Sequence, residues 1–191
     1  KIKIFSHFNP KYQQQQVTTG AVVTNAEELY EAAAEVRPVL RQKIADATAV
    51  ANIDPARYAI APLKGKQRAQ DKAASDYAKR DPGPPESWLY DIVRGKVVCK
   101  TGDEVEALWQ TLFASPDVEI VRVKNRCKHP NFNGYRDFLI NMLVAVPDSP
   151  AKHVCELQLH IEQIIEKEHE VHSHVAYEYF RSYFHGNMDA I

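Results

Sequence analysis

Along this chain the apolar positions switch between a helical and a strand period, and the switches lay out a succession of elements. Thr24-Asn25-Ala26-Glu27-Glu28 offers a cap and an acidic first turn, after which Leu29, Tyr30, Ala33 and Val36 share one helical face. Pro38 should kink or restart that helix, with Val39, Leu40, Ile44 and Ala47 continuing the stripe. Tyr58 to Pro62 reads as a short strand, Lys66 to Lys79 as a helix, and the Pro/Gly stretch from Asp81 to Pro85 as the loop that ends it. Trp88 to Val98 reads as a strand that carries an acid, Asp91, near its start. Thr101-Gly102-Asp103 begins another helix, with Val105, Leu108, Trp109 and Leu112 as its apolar face, and Val118 to Lys124 follows as a strand. A polar loop then runs to Gly134.

Phe138 to Val146 (FLINMLVAV) is almost uniformly apolar, as expected of a strand covered on both faces. Cys155 to His160 alternates instead: Glu156, Gln158 and His160 point one way, and Cys155, Leu157 and Leu159 the other. The apolar row wants a core, so the polar row lines solvent or a cleft. A carboxylate beside a covered strand needs a partner or a metal. The last element predicted is a helix from Ile161 to about Tyr183, with Ile161, Ile164, Ile165, His172, Val175, Ala176 and Tyr179 on its stripe. The glutamine run Gln13 to Gln16 reads as a stretch of doubtful order. With no internal repeat and no change of composition, the chain reads as a single α+β unit. Residues 1–57 form an N-terminal helical extension packing on the core, and residues 58–191 form the rest.

Size and charge narrow the picture. At 191 residues the chain can bury one sizeable core. Its 24 basic and 25 acidic residues nearly cancel, so any site for a polyanion is local, and RNA is not favoured as a partner. Cys99, Cys127 and Cys155 form no CxxC pair and sit in apolar or strand-like surroundings, which favours reduced thiols and a cytoplasmic site of action. No stretch approaches the roughly 18 apolar residues of a membrane span, and Lys1 to Gln16 lacks the apolar core of a secretory signal. The chain begins with Lys, which points to processing or to a larger parent; delivery as part of such a parent stays open.

Several familiar chemistries fail on spacing. In His169-Glu170-Val171-His172-Ser173-His174 one residue is missing between Glu170 and the second histidine for a zinc-protease helix. No glycine loop of the dinucleotide or P-loop kind is present. Cys155, as a nucleophile, would face the apolar side of its strand. What remains is two acids on separate strands, Asp91 and Glu156, and cations at Lys64, Arg68, Lys72 and Lys96. Lys64, Arg68 and Lys72 recur every four residues, a spacing that stacks like charges along a helix or its entry. A solvated face is the ordinary explanation of such a row, but an anion lying over it would relieve the repulsion. Two converging carboxylates suit Mg2+, which keeps several waters and binds substrate phosphates as well.

The order Lys64-x-x-x-Arg68-x-x-x-Lys72, Asp91-Ile-Val-Arg-Gly-Lys96, Asn133-Gly134-Tyr135, Glu156-Leu-Gln158 and a helix with Glu170 and Tyr177 resembles the RelA/SpoT-type synthetase domain of alarmone synthetases. The resemblance spans Tyr58 to Arg181. It implies a nucleotidyltransferase-like fold with a mixed central β-sheet flanked by helices. It implies Mg2+ as cofactor, and transfer of pyrophosphate from ATP to the 3′-hydroxyl of a purine nucleotide, or of an RNA end in toxin-like relatives. By the same resemblance Asp91 and Glu156 hold the metal, and Glu156 takes the proton of the attacking hydroxyl. Tyr135 stacks on the acceptor base, and Lys64 and Lys72 meet donor phosphates. Lys124, Asn125 and Pro130 echo the loop before the NGY motif, and Arg68, Lys96, Asn133, Gln158 and His160 complete the nucleotide-binding set. Pro62, Arg68, Lys96, Leu139 and His160 stand where the family has Arg, Ser, Arg, His and Arg. Lys does not reproduce the bidentate geometry of Arg, so a nucleotide-binding module without the chemistry is the rival reading. No additional hydrolase domain is evident, so breakdown of the product is not expected.

Overall fold

The computed structural model describes residues 11–131 and 134–170. Asn25 caps a 25-residue helix, α1 (Ala26–Val50), by accepting from the Glu28 N–H, while Glu28 reaches back to the Thr24 N–H and hydroxyl. Pro38 does not interrupt this helix. Pro38 and Ala34, whose carbonyl loses its helical donor there, both face solvent. Leu29, Ala33, Val36, Leu40, Ile44 and Ala47 meanwhile stay buried on one face across the proline. The tertiary packing of that stripe outweighs one missing hydrogen bond.

After α1 come β1 (Tyr58–Ile60), α2 (Lys66–Asp76), β2 (Arg94–Cys99), α3 (Gly102–Ala114), β3 (Val118–Asn125), β4 (Phe138–Ala145), β5 (Lys152–Ile161) and α4 (Glu162–Glu170). The strands form one mixed five-stranded sheet in the order β1-β2-β5-β4-β3. β2 runs parallel to β5, and the other pairs are antiparallel. This is the expected α+β architecture of a central mixed sheet flanked by helices. α1 and α3 cover one face, where Val97, Cys155, Leu157, Leu159, Ile140, Met142 and Val144 meet the buried stripes of the two helices. The close approach of α1 falls at Gly95, where an added Cβ would stand 2.6 Å from Ile44 Cδ1 and 3.1 Å from Ile60 Cδ1. A larger residue there would require the Ile44 side chain to move.

The opposite face changes character along its length. At one end Trp88, Tyr90, Val121, Leu143 and Val154 make a small second apolar cluster; beyond it the face turns polar. β3 contributes through a bulge. Ile120 opposes Met142, yet Arg122 opposes Asn141, one position short of regular pairing. The extra residue reverses the phase of the strand. Arg122 and Lys124, which regular pairing would aim at the helix-covered core, are carried onto the polar face instead.

Two expectations about local structure are corrected. The segment from Trp88 to Val93 is not strand: Pro85–Trp88 forms a 3₁₀ turn and β2 begins only at Arg94, because Trp88, Leu89 and Tyr90 turn inward to pack. Asp91 therefore sits in a turn ahead of the sheet. The glutamine run, read as a stretch of doubtful order, is held by hydrogen bonds to distant elements. Gln15 is fully buried, and Gln13 and Tyr90 exchange hydrogen bonds between the Gln13 backbone and the phenolic oxygen. The predicted helix beyond β5 is described as α4 up to Glu170; His172, His174 and the rest of its stripe lie outside the described residues. No helix of the described residues is long and apolar enough to cross a membrane.

Candidate active site

Glu156 lies on β5, on the polar face, with Arg94 of β2 and Asn141 of β4 as its register neighbours. Its N–H donates to the Val93 carbonyl at 2.9 Å, which stitches the end of the Asp91 turn to this strand. Burial raises the Glu156 carboxyl above its ordinary range, and the neighbouring Asp91 charge raises it further against the opposing pull of Lys72 and Arg126. The two acids thus share one electrostatic environment. Gln158 Nε2 donates to Glu156 Oε1 at 3.1 Å.

Asp91 answers the question of what lies over the row of cations. Lys64 Nζ and Lys72 Nζ both donate to its Oδ2, at 2.6 and 2.9 Å. Burial alone would raise this carboxyl, but Lys72 and Lys64 together hold it down at about 2. Lys64 stands just before α2 rather than on it, its carbonyl accepting from the Tyr30 hydroxyl of α1. Ala69 and Ala73, buried four residues apart, bring α2 close enough for Lys72 to reach across. Arg68 is exposed.

Asp91 Oδ1 is buried and has no hydrogen-bond partner among the described residues; neither have Arg94 Nε, Asn141 Nδ2 and His160 Nδ1. Apart from His153, every described residue left with such an atom belongs to this site. Native structures leave few buried polar atoms unpaired, so such a cluster has room for further hydrogen-bond partners, water or ligand. No group of three or more His, Cys, Asp or Glu that could hold a metal occurs among the described residues. Asp91 and Glu156, which act on each other electrostatically, offer two carboxylates. That fits Mg2+, which takes one or two protein carboxylates and completes its shell with water and phosphate oxygens. It does not fit Zn2+, which wants three or four N or S ligands.

Around the acids runs a wall of cations from β3 and its continuation. Arg122 Nε donates to Asn141 Oδ1 at 2.8 Å. Burial, with Arg122, Arg126 and Lys72 nearby, pushes the Lys124 ammonium below its usual value. A bound anion would relieve that crowding. Arg126 grips the fully buried Asp137 in a two-point fork, with Nη2 to Oδ2 at 2.6 Å. The Tyr135 hydroxyl donates to the same Asp137 oxygen at 3.2 Å, and the Arg126 guanidinium lies 5.1 Å from the Tyr135 ring centre. His160 approaches that ring edge-on at 6.1 Å. Tyr135 is thereby fixed at the margin of the polar face.

Of the residues expected at the site, Asp91, Glu156, Lys64, Lys72, Lys124, Tyr135, Gln158 and His160 come together. Lys96 is on the same face opposite Gln158 and exposed, Arg68 is exposed, and Asn133 lies outside the described residues. His160, expected to line a cleft, is largely buried, and burial lowers its pKa. Arg94, Arg122, Arg126, Asp137 and Asn141 were not anticipated. Arg122, Lys124 and Arg126 recur every second residue, a strand-period signal that was there to be read. The cleft beside the first turns of α1 is lined by Glu28, Glu31 and Glu35 and offers nothing to a polyanion.

No protein-family model matches the chain, and no curated protein matches it significantly. Solved structures do. Small alarmone synthetase 2 from Bacillus subtilis superposes with a TM-score of 0.60 at 18% identity, over 78% of this chain and 80% of that one. Small alarmone synthetase 1 from the same organism, bound to its product pppGpp, gives 0.57 at 18% identity, over 78% of each chain. This is the RelA/SpoT-type synthetase fold. A GTP pyrophosphokinase family protein from Streptococcus pneumoniae shares the fold with a TM-score of 0.53 at 17% identity, over 85% of this chain and 81% of that one. In such a synthetase-like sheet the polar face described above is the one left clear of α1 and α3.

Proposed function

We propose that this chain is a magnesium-dependent pyrophosphokinase that moves pyrophosphate from ATP to the 3′-hydroxyl of a purine nucleotide. The observation that carries the reading is the unpartnered buried oxygen of Asp91, set beside Glu156 and beneath Lys64 and Lys72, on the open face of an alarmone-synthetase fold. The solved relative bound to pppGpp supports a nucleotide acceptor.

Asp91 and Glu156 would hold the Mg2+ ion, which would screen the charge of the transferring phosphates. In the reaction the acceptor 3′-oxygen bonds to the β-phosphorus of ATP, the bond from that phosphorus to the oxygen retained by AMP breaks, and AMP leaves. Glu156, made more basic than an ordinary carboxylate by burial and by Asp91, takes the hydroxyl proton. Lys124, Arg122 and Arg94 offer fixed positive charge to the phosphate oxygens, and their value rises where water is excluded. Tyr135, braced by Arg126, Asp137 and His160, presents a ring to the acceptor base.

The purified chain, incubated with Mg2+, β-labelled ATP and a panel of GDP, GTP, AMP, ADP and deacylated tRNA, tests this. Label should move to a purine nucleotide, and Glu156→Gln should reduce transfer by about 10²–10⁴-fold with the circular dichroism unchanged. Turnover unaffected by that substitution would refute the assignment. Nucleotide binding without movement of label would establish the binding-module reading, and label on tRNA an RNA-directed enzyme.

A further inference from the structure

The glutamine run completes a hydrogen-bond ladder that β2 leaves unfinished. β2 first meets β5 at Arg94, opposite Glu156. The N–H groups of β5 that point the same way ahead of Glu156 therefore have no β2 partner, and the N-terminal segment supplies them. Lys152 N–H donates to Gln16 Oε1 at 3.0 Å and Val154 N–H to Gln15 Oε1 at 2.7 Å, while Glu156 N–H reaches the Val93 carbonyl at 2.9 Å. Side-chain amides stand in for a strand until the true backbone arrives.

Gln15 does more than fill an edge. Its Nε2 donates to the Val154 carbonyl and to the Leu89 carbonyl, each at 2.9 Å, so the acceptor oxygen and the amide nitrogen of this fully buried side chain are all engaged. Leu89 lies two residues before Asp91, and Val154 two residues before Glu156. One amide thus joins the turn that carries the first acid to the strand that carries the second. Gln14, on the same segment, holds elsewhere: its Nε2 donates to the Pro82 and Gly83 carbonyls and to Ser87 Oγ. Glutamate could not replace Gln15, since it lacks donors for two carbonyls and would bury another negative charge near the acids. Methionine matches the length of glutamine but leaves an N–H and two carbonyls unpaired.

We propose that Gln15 is a positioning residue that sets the separation of Asp91 and Glu156. The proposal rests on the reading of those acids as the functional pair. Its test compares Gln15→Met with Gln14→Met in the full chain, by amide hydrogen exchange and by transfer kinetics. Gln15→Met should speed exchange at the Val154 and Glu156 amides by about tenfold or more. It should lower kcat by about tenfold or more, with KM for both nucleotides within about twofold. Gln14→Met should speed exchange only around residues 82–87 and leave kcat within about twofold of the parent. Gln15→Asn, one methylene too short to span both partners, should repeat the Gln15→Met pattern and serves if that variant does not fold. Equal losses of kcat at positions 14 and 15, or unchanged exchange at Glu156 in both Gln15 variants, would overturn the proposal. Should the parent chain transfer nothing to any acceptor, the enzymatic reading falls by itself. Exchange at Glu156 then decides the clamp, faster in the Gln15 variants if it exists and unchanged if it does not.

Discussion

Replacing Lys72 by Met tests the charge balance on which the site depends. Asp91 takes both ammonium groups on one oxygen, and its carboxyl sits at about 2 rather than the ordinary 3.8. At about 1.4 kcal/mol per unit, that depression contributes roughly 2–3 kcal/mol to stability near neutral pH. Lys72 exerts the larger Coulombic pull of the two, Lys64 the larger hydrogen-bond contribution, and the Lys72 side chain is 23% exposed, so solvent screens part of its effect. Its removal should cost about 1–2 kcal/mol and raise the Asp91 pKa by about one unit or more. A depressed folded-state pKa gives stability that is complete above the unfolded-state value and vanishes as pH falls through the folded one. The difference between parent and variant should therefore be full at pH 5–7 and shrink as the pH falls from about 4 toward 2. Urea denaturation at several pH values measures that difference, and the ¹³C resonance of the Asp91 carboxyl gives its titration directly. A parent Asp91 that titrates near 4, or a variant whose deficit is the same at pH 3 as at pH 7, would refute the reasoning.

Other expectations follow from the same geometry. Burial alone holds His153 at about 3, with neither ring nitrogen paired among the described residues, so stability should fall as pH drops from about 6.5 toward 3, by up to roughly 4–5 kcal/mol. His153→Phe should flatten that slope in pH-dependent urea melts. Gly95→Ala should destabilise by about 1–3 kcal/mol through collision with Ile44, and the double variant with Ile44→Val should recover part of the loss in Tm. Tyr135→Ala should weaken acceptor binding by about 1–3 kcal/mol in calorimetry while ATP affinity changes little; equal losses would mark a purely structural ring.

What was legible in the sequence was whatever depended on period and order. The alternation at Cys155–His160 placed Glu156 correctly because one face of β5 must be apolar under α1. The spacing of Lys64 and Lys72 pointed to an anion, and the Asp91 carboxylate lies there, accepting from both ammonium groups. Period reasoning failed where an element is held by distant partners. Trp88, Leu89 and Tyr90 look like strand residues but turn inward before β2 begins. Gln13 to Gln16 look featureless because their partners, Ser87, Leu89, Tyr90, Lys152 and Val154, lie more than seventy residues away. Pro38 misled because its missing hydrogen bond is a local cost, outweighed by a buried stripe that runs the length of α1.

The bulge in β3 makes the cationic wall a matter of reading frame. Ile120 and Val121 are adjacent apolar residues where strict alternation would have one, and the surplus position turns Arg122 and Lys124 from the interior to the site. Deleting Val121 would remove the bulge and leave Arg122 opposite Asn141 and Lys124 opposite Leu139 in plain alternation, at the cost of one apolar side chain from the cluster with Tyr90, Leu143 and Val154. What would turn Arg122 and Lys124 inward is a slip to regular pairing with Val121 still in place, so the wall depends on the surplus residue staying looped out of the ladder.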